Sequence, residues 1–156
     1  MTSDIDTVWK MLEGAKTGFL TTWHGDALQS RPMALYTRRE DGVIYFLTDA
    51  SSHKEDAIRQ YPSVNVSLQD GSSYISVAGQ ASVSHDVAKI KELWTPFAEA
   101  WWDGPEDPAI RLLTLSPREA HYWKTPGKVV ATIAMLAAAA TGSKKADLGT
   151  EKRVPM

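Results

Sequence analysis

Two short segments hold the residues best suited to chemistry. One is Ser30-Arg31-Pro32-Met33-Ala34-Leu35, and the other is Thr48-Asp49-Ala50-Ser51-Ser52-His53-Lys54. Arg31 offers a planar guanidinium fork that matches a phosphate group. Ser52 adds a hydroxyl donor, and His53 and Lys54 can add charge-assisted bonds. The second segment runs from a strand end into a helix start, where backbone N–H groups point outward unpaired and favour an anion. The same spacing also suits a plainer reading, in which Ser52 caps the helix and Lys54 is a solvated first-turn residue. Spacing alone favours the plainer reading.

Other chemistry finds less support. The four histidines, His24, His53, His85 and His121, lack H-x-x-x-H or H-E-x-x-H spacing, so no metal site is expected. Asp103, Glu106 and Asp107 read as an acidic turn broken by two prolines rather than a calcium loop. There is no cysteine, which excludes disulfides, thiolate metal sites and a cysteine nucleophile. No G-x-S-x-G, P-loop or G-x-G-x-x-G stretch occurs. No side chain stands out as an acid or base, so no catalytic residue is assigned. Six tryptophans are many for 156 residues. Trp9, Trp23 and Trp94 fall on apolar faces and are expected in the core. Trp101 and Trp102 flank a loop, where a large ring can stack on an aromatic ligand or seal a contact between subunits.

The elements that must position these residues are mostly strands. Residues 4–13 are expected as a helix with Ile5, Val8, Trp9 and Leu12 on one face, capped by Ser3 or Asp4 and ended by Gly14. Residues 17–23 suit a strand, and 27–38 a long strand interrupted at Pro32. Residues 43–48 form an apolar run buried on both faces. A short helix follows from His53 to Gln60. Val64, Val66 and Leu68 alternate with polar residues, as do Ile75, Val77, Gly79, Ala81 and Val83 beyond the Asp70-Gly71-Ser72-Ser73 turn. Residues 87–100 are expected as a helix, 109–115 and 119–124 as two strands, and 129–140 as a helix. The expected organisation is one domain over 1–140 and a mobile tail over 141–156. Strand-rich order without βαβ alternation indicates a mainly β fold with flanking helices, an α+β antiparallel barrel or sheet.

Composition sets the outer bounds. Hydrophobic residues make up 43% and charged residues 23%, which is ordinary for a globular chain. The net charge of −2 argues against a nucleic-acid partner. From Lys144 onward four basic and two acidic residues make a locally positive end, read as solvated. No apolar run approaches the ~20 residues of a membrane span, and the acidic start does not resemble a secretory signal. The sequon Asn65-Val66-Ser67 lies in an expected strand and is read as chance. The expectation is a cytoplasmic protein with no membrane partner.

Taken together, these segments resemble the FMN-binding split barrels related to pyridoxamine-phosphate oxidase, and more closely their general stress protein 26 branch. The resemblance is carried by Ser30-Arg31-Pro32-Met33, Ile44-Tyr45-Phe46-Leu47-Thr48, Ser52-His53-Lys54, Asp103-Gly104-Pro105-Glu106-Asp107-Pro108 and Ala120-His121-Tyr122-Trp123. It covers roughly residues 5–150. It implies an antiparallel split β-barrel that pairs as a homodimer, with FMN in each of two interface grooves. Arg31, Ser52, His53 and Lys54 would hold the phosphate. Met33, Leu35, Leu47 and Thr48 would lie along the flavin, with Trp123 as a ring neighbour; Trp102, beside its loop, is a further candidate ring neighbour from its position in the sequence.

The resemblance implies a flavin-binding protein, a possible route to FMN-dependent oxidoreductase chemistry, with a stress-related role. A non-catalytic flavin carrier or redox-sensing stress protein is the second reading. A third is another phosphate-bearing cofactor, FAD or a deazaflavin. The oxidase pattern has Arg-Lys where this chain has His53-Lys54, a lysine where it has Tyr36, and a glutamine near Tyr74. The Arg-x-His substrate element of the oxidases has no counterpart. Pyridoxine-phosphate oxidase activity is therefore not expected.

Overall fold

The computed structural model describes residues 2–52, 54–125, 127–142 and 149–156. Helix α1 (Asp4–Gly14) opens on a capping box: the Ser3 hydroxyl accepts from the Asp6 N–H, and the Asp6 carboxylate accepts from the Ser3 N–H. Its buried face is Val8, Trp9, Met11 and Leu12. Ile5, expected on that face, is exposed, and Met11 takes its place. Strand β1 (Thr17–Trp23) pairs with β2 (Leu28–Ala34), and β3 (Tyr36–Arg38) follows after Leu35. The break therefore falls at Leu35 and not at the expected Pro32. Pro32 is tolerated within β2 because β2 lies at the end of the sheet order, where a missing N–H costs no ladder bond on its open side.

Strand β4 (Val43–Asp49) leads through a tight turn into α2 (Lys54–Gln60). Strands β5 (Ser63–Asp70) and β6 (Ser73–Ser84) form the expected hairpin. Helix α3 spans Val87–Leu93, shorter than the expected 87–100. Pro96 disfavours helical backbone at Thr95, so the chain leaves the helix at Trp94 and makes only a 3-10 turn at Ala98–Ala100.

The two strands expected over 109–124 are one, β7 (Ile110–Lys124). A bulge lets it run on. Ala78 pairs with Glu119 and Gly79 with Pro117, leaving Arg118 as the extra residue. Gly79 is required here, since a Cβ would sit 2.2 Å from the Ser116 carbonyl oxygen. Helix α4 (Lys128–Thr141) then leaves the sheet, and β8 (Thr150–Pro155) returns to pair with the second half of β7. Within the expected tail over 141–156, residues 143–148 lie outside the described residues, while Thr150–Pro155 is a sheet strand with Val154 buried. Its physical reason is an open edge. β4 pairs only with Ile110–Leu115, so β8 covers the stretch Glu119–Lys124 that β4 leaves bare.

The sheet order is β2-β1-β5-β6-β7-β4-β3, with β8 beside β7 and every pairing antiparallel. Its ends, β2 and β3, are consecutive segments of chain, so the sheet curls round as a half-barrel flanked by helices. The main core fills its concave side beneath α1, with Leu20, Phe46, Val66, Val77 and Leu115 at its centre. A second cluster, with Tyr45, Leu47, Ile90, Leu93 and Ile110, packs α3 against the other side of β4 and β7. β4 is thus buried on both faces, as its unbroken apolar run requires.

Candidate functional site

A groove of about 500 Å³ opens where the end of β4, the turn before α2, the end of β2 and the segment after α3 meet. Four of the expected ligand residues converge from the middle of the chain: Leu47 and Thr48 from β4, and Ser52 and Lys54 from the turn and α2. Met33 joins from β2 and Trp102 from the far side. The turn is held by Asp49. Its Oδ1 accepts from the Ser51 N–H at 2.8 Å and from the Ser51 hydroxyl at 2.5 Å, while the Ser52 N–H donates to the Asp49 carbonyl at 3.0 Å. The hydroxyls of Thr48 and Ser52 lie 3.3 Å apart. The Ser51 bonds, above all, hold the Asp49 carboxyl below the usual carboxylate range, so it is ionised.

Lys54 decides the electrostatics. Only 4% of the residue is exposed. Burial, followed by repulsion from the nearby Arg31 guanidinium, lowers its ammonium from 10.5 to about 8. Among the described residues no carboxylate pairs with it and no acceptor bonds it. Arg31 is likewise without an acid, donating to the Gln29 side chain at 3.1 Å. A buried cation that faces a second cation and no anion is costly unless an anion joins them. The plain reading of Lys54 as a solvated first-turn residue does not describe it.

Arg31 stands beside Lys54 but does not line the groove. Leu35 is a core side chain, 7% exposed, packed with the main cluster rather than set along the groove. Trp123 is elsewhere on the sheet. Its ring stacks on His121 at 3.9 Å, across from Tyr74, so within one chain it does not reach the groove. His53 lies outside the described residues. Trp23, expected in the core, is 37% exposed on the outer sheet face.

Among the lining residues, local spacing did not single out Asp49 as an organiser, nor Phe97. Phe97 reads as part of a helix face until the break before Pro96 is known. Trp101, next to it, is 69% exposed at the groove rim. A second hollow lies against the acidic turn of Asp103–Pro108, where Lys91 pairs with Glu106 at 2.5 Å. No group of three or more His, Cys, Asp or Glu suited to a metal ion occurs among the described residues.

Known proteins share both the sequence pattern and the fold. The sequence pattern of the family described as pyridoxamine 5'-phosphate oxidase like matches residues 3–147. General stress protein 26 of Bacillus subtilis is 30% identical over 129 residues, covering 76% of this chain and 90% of that protein. The crystal structure of a candidate general stress protein 26 from Jannaschia sp. CCS1 superposes with a TM-score of 0.75 at 25% identity, covering 96% of each chain. The general stress FMN/FAD binding protein of Xanthomonas citri superposes with a TM-score of 0.67 at 26% identity, over 75% of this chain and 85% of that one. The half-barrel is therefore the split-barrel fold of the general stress proteins, and the chain belongs to the pyridoxamine 5'-phosphate oxidase like family.

Proposed function

We propose that this protein binds a flavin nucleotide, FMN in the first place, with its phosphate at Lys54 and Arg31. One observation carries the reading: Lys54 is buried, lowered to about 8, and opposed by a cation instead of an acid. A phosphate dianion supplies the missing charge. The groove also fits the rest of such a ligand. Its volume lies within the roughly 300–1,000 Å³ of small-molecule sites, and its walls are mainly apolar and aromatic with a few polar groups. Arg31, Ser52 and Lys54 would hold the phosphate, joined by His53 as the resemblance implies. Met33, Leu47 and Thr48 would lie along the ring system. The Xanthomonas citri relative named as an FMN/FAD binding protein supports a flavin, and the terminal phosphate monoester that can carry two charges belongs to FMN, whereas FAD offers a diphosphate bridge.

A bound flavin supplies redox chemistry, and the protein supplies position and electrostatics. No side chain of the described groove is assigned a proton-transfer role toward a second substrate, because Lys54 is taken as a phosphate ligand and Asp49 as an organiser of the turn. Flavin binding is thus the function proposed, in a homodimer as the resemblance implies. The test is a titration of wild type, Arg31→Ala and Lys54→Ala against FMN and riboflavin, which differ by one phosphate. A hydrogen bond to a charged group is worth ~1.5–3 kcal/mol, so each variant should lose FMN roughly 10- to 150-fold. Riboflavin affinity should barely change. Equal loss of both ligands would place the phosphate elsewhere.

A further inference from the structure

Helix α4 is almost wholly apolar, yet none of its described residues is buried. Val130, Ile133, Met135 and Leu136 are 53%, 62%, 55% and 66% exposed. A helix of this composition is stable in water only when something covers it. It is not a loose end. The chain leaves the sheet after Lys124 and is back at Thr150, and these two residues are paired in the β7–β8 ladder. Gly149 packs so closely on Lys124 that a Cβ there would sit 1.9 Å from the Lys124 carbonyl oxygen. α4 is therefore part of an arm rooted at both ends on one edge of the sheet.

The same chain carries a second uncovered apolar surface. Phe19, Trp23, Leu28 and Tyr74 are 53%, 37%, 70% and 47% exposed. The strand registers place them on one face. Trp23 lies opposite Leu28, and Phe19 leads across Ser67 and Ser76, with Tyr74 two residues from Ser76. This is the outer, convex side of the half-barrel.

We propose that α4 is an exchange arm: in a two-fold pair of this chain, each α4 lays its apolar side on the outer sheet face of the other copy. Each copy then offers one arm and one face, and the symmetry uses both twice. The area suffices. From typical side-chain areas, arm and face together leave on the order of 500 Å² of apolar surface per copy, or about 1,000 Å² for the pair before any polar rim. A specific interface begins near about 1,000–1,200 Å². A membrane is the poorer occupant. From Val129 to Thr141 the helix has no charged residue, so it lacks the basic face that draws helices to anionic lipid. No described helix is long and apolar enough to cross a bilayer.

The inference rests on the homodimer reading but not on the flavin. Light scattering of the wild-type chain should give twice 17.2 kDa. The double variant Ile133→Glu/Leu136→Glu should raise the dimer dissociation constant roughly 100-fold or more with an unchanged circular dichroism spectrum. Because the chain has no cysteine, a second measurement uses near-native protein. Differently tagged Ile133→Cys and Leu28→Cys copies are mixed and treated with a short bis-maleimide. A cross-link between the two tags supports the arm. A wild-type monomer overturns the arm and the homodimer reading together, while flavin titration still tests the groove. A wild-type dimer whose double variant stays dimeric, or a mixture without the cross-link, overturns the arm alone. Sedimentation of wild type, but not the double variant, with phosphatidylserine–phosphatidylcholine vesicles also overturns it.

Discussion

The indole N–H of Trp102 donates to Oδ2 of Asp49 at 3.4 Å, across 53 positions of sequence. Asp49 also binds Ser51 through its other oxygen, so one ionised carboxylate holds both the turn before α2 and the aromatic wall opposite it. Asp49 is a positioning residue for the groove. Replacing it by Ala should free Trp102 and weaken FMN by about fivefold, the value of ~1 kcal/mol for one long hydrogen bond. Asp49→Asn keeps an acceptor and should restore most of the affinity. Quenching of tryptophan fluorescence by FMN reads the wall directly. It should shrink in Asp49→Ala and in Trp102→Phe. An unchanged quench in both variants would remove Trp102 from the site.

The unpaired Lys54 should cost stability in the ligand-free protein. Its folded value of about 8 lies below the ordinary 10.5. The folded state therefore binds fewer protons than the unfolded state between these values. The cost is fully present below about pH 8 and disappears as pH rises toward 10.5. Lys54→Met keeps the stem and removes the charge. It should stabilise the apo-protein at neutral pH by about 1–3 kcal/mol, a rise in Tm of roughly 3–10 °C. The advantage should fade by about pH 10.5, and preference for FMN over riboflavin at pH 7 should fall roughly 10- to 150-fold, the share of Lys54. A lower Tm for Lys54→Met at pH 7 would show that Lys54 already has a partner.

FMN affinity should depend on pH through the same ammonium. The phosphate is largely dianionic above about pH 7. Below about 8 Lys54 is protonated and the pair forms at full strength. Above that value binding must first recharge the lysine, so affinity should fall by up to about tenfold per pH unit. Riboflavin should show no such fall. Isothermal titration from pH 7 to pH 10 checks this, and a flat FMN profile would disconnect Lys54 from the phosphate.

Strand β8 should contribute to stability. Val154 is 3% exposed and belongs to the main core. Val154→Ala removes two buried carbons and leaves a small cavity, at a cost of about 2 kcal/mol and a fall in Tm of roughly 4–8 °C. Thr150→Ala, at an exposed position of the same strand, should change Tm little. Equal, negligible shifts in both would mean that β8 does not hold the sheet edge in solution.

Much of this protein was legible in local pattern. The capping box at Ser3, the alternation of Val64, Val66 and Leu68, and the double-faced run of β4 each state their element within a few residues. Local pattern failed where the deciding contact was distant. Alternation separates Leu20 from Phe19 and Trp23, but it does not say which side faces the core. The curl of the sheet buried Leu20 and left the two rings outside. The segment 150–155 has one apolar residue that matters, Val154, and becomes a strand only because β4 stops short beside β7.

The sequence by itself determined the strand-rich class, the family pattern and the cluster of Arg31, Ser52 and Lys54, because residue type and order carry that information. Only the tertiary structure decided what Lys54 is. Whether a lysine is a solvated cap neighbour or a buried cation awaiting an anion depends on which distant groups surround it. Folding set Arg31 beside it, no carboxylate among the described residues against it, and Met33 and Trp102 along the same groove.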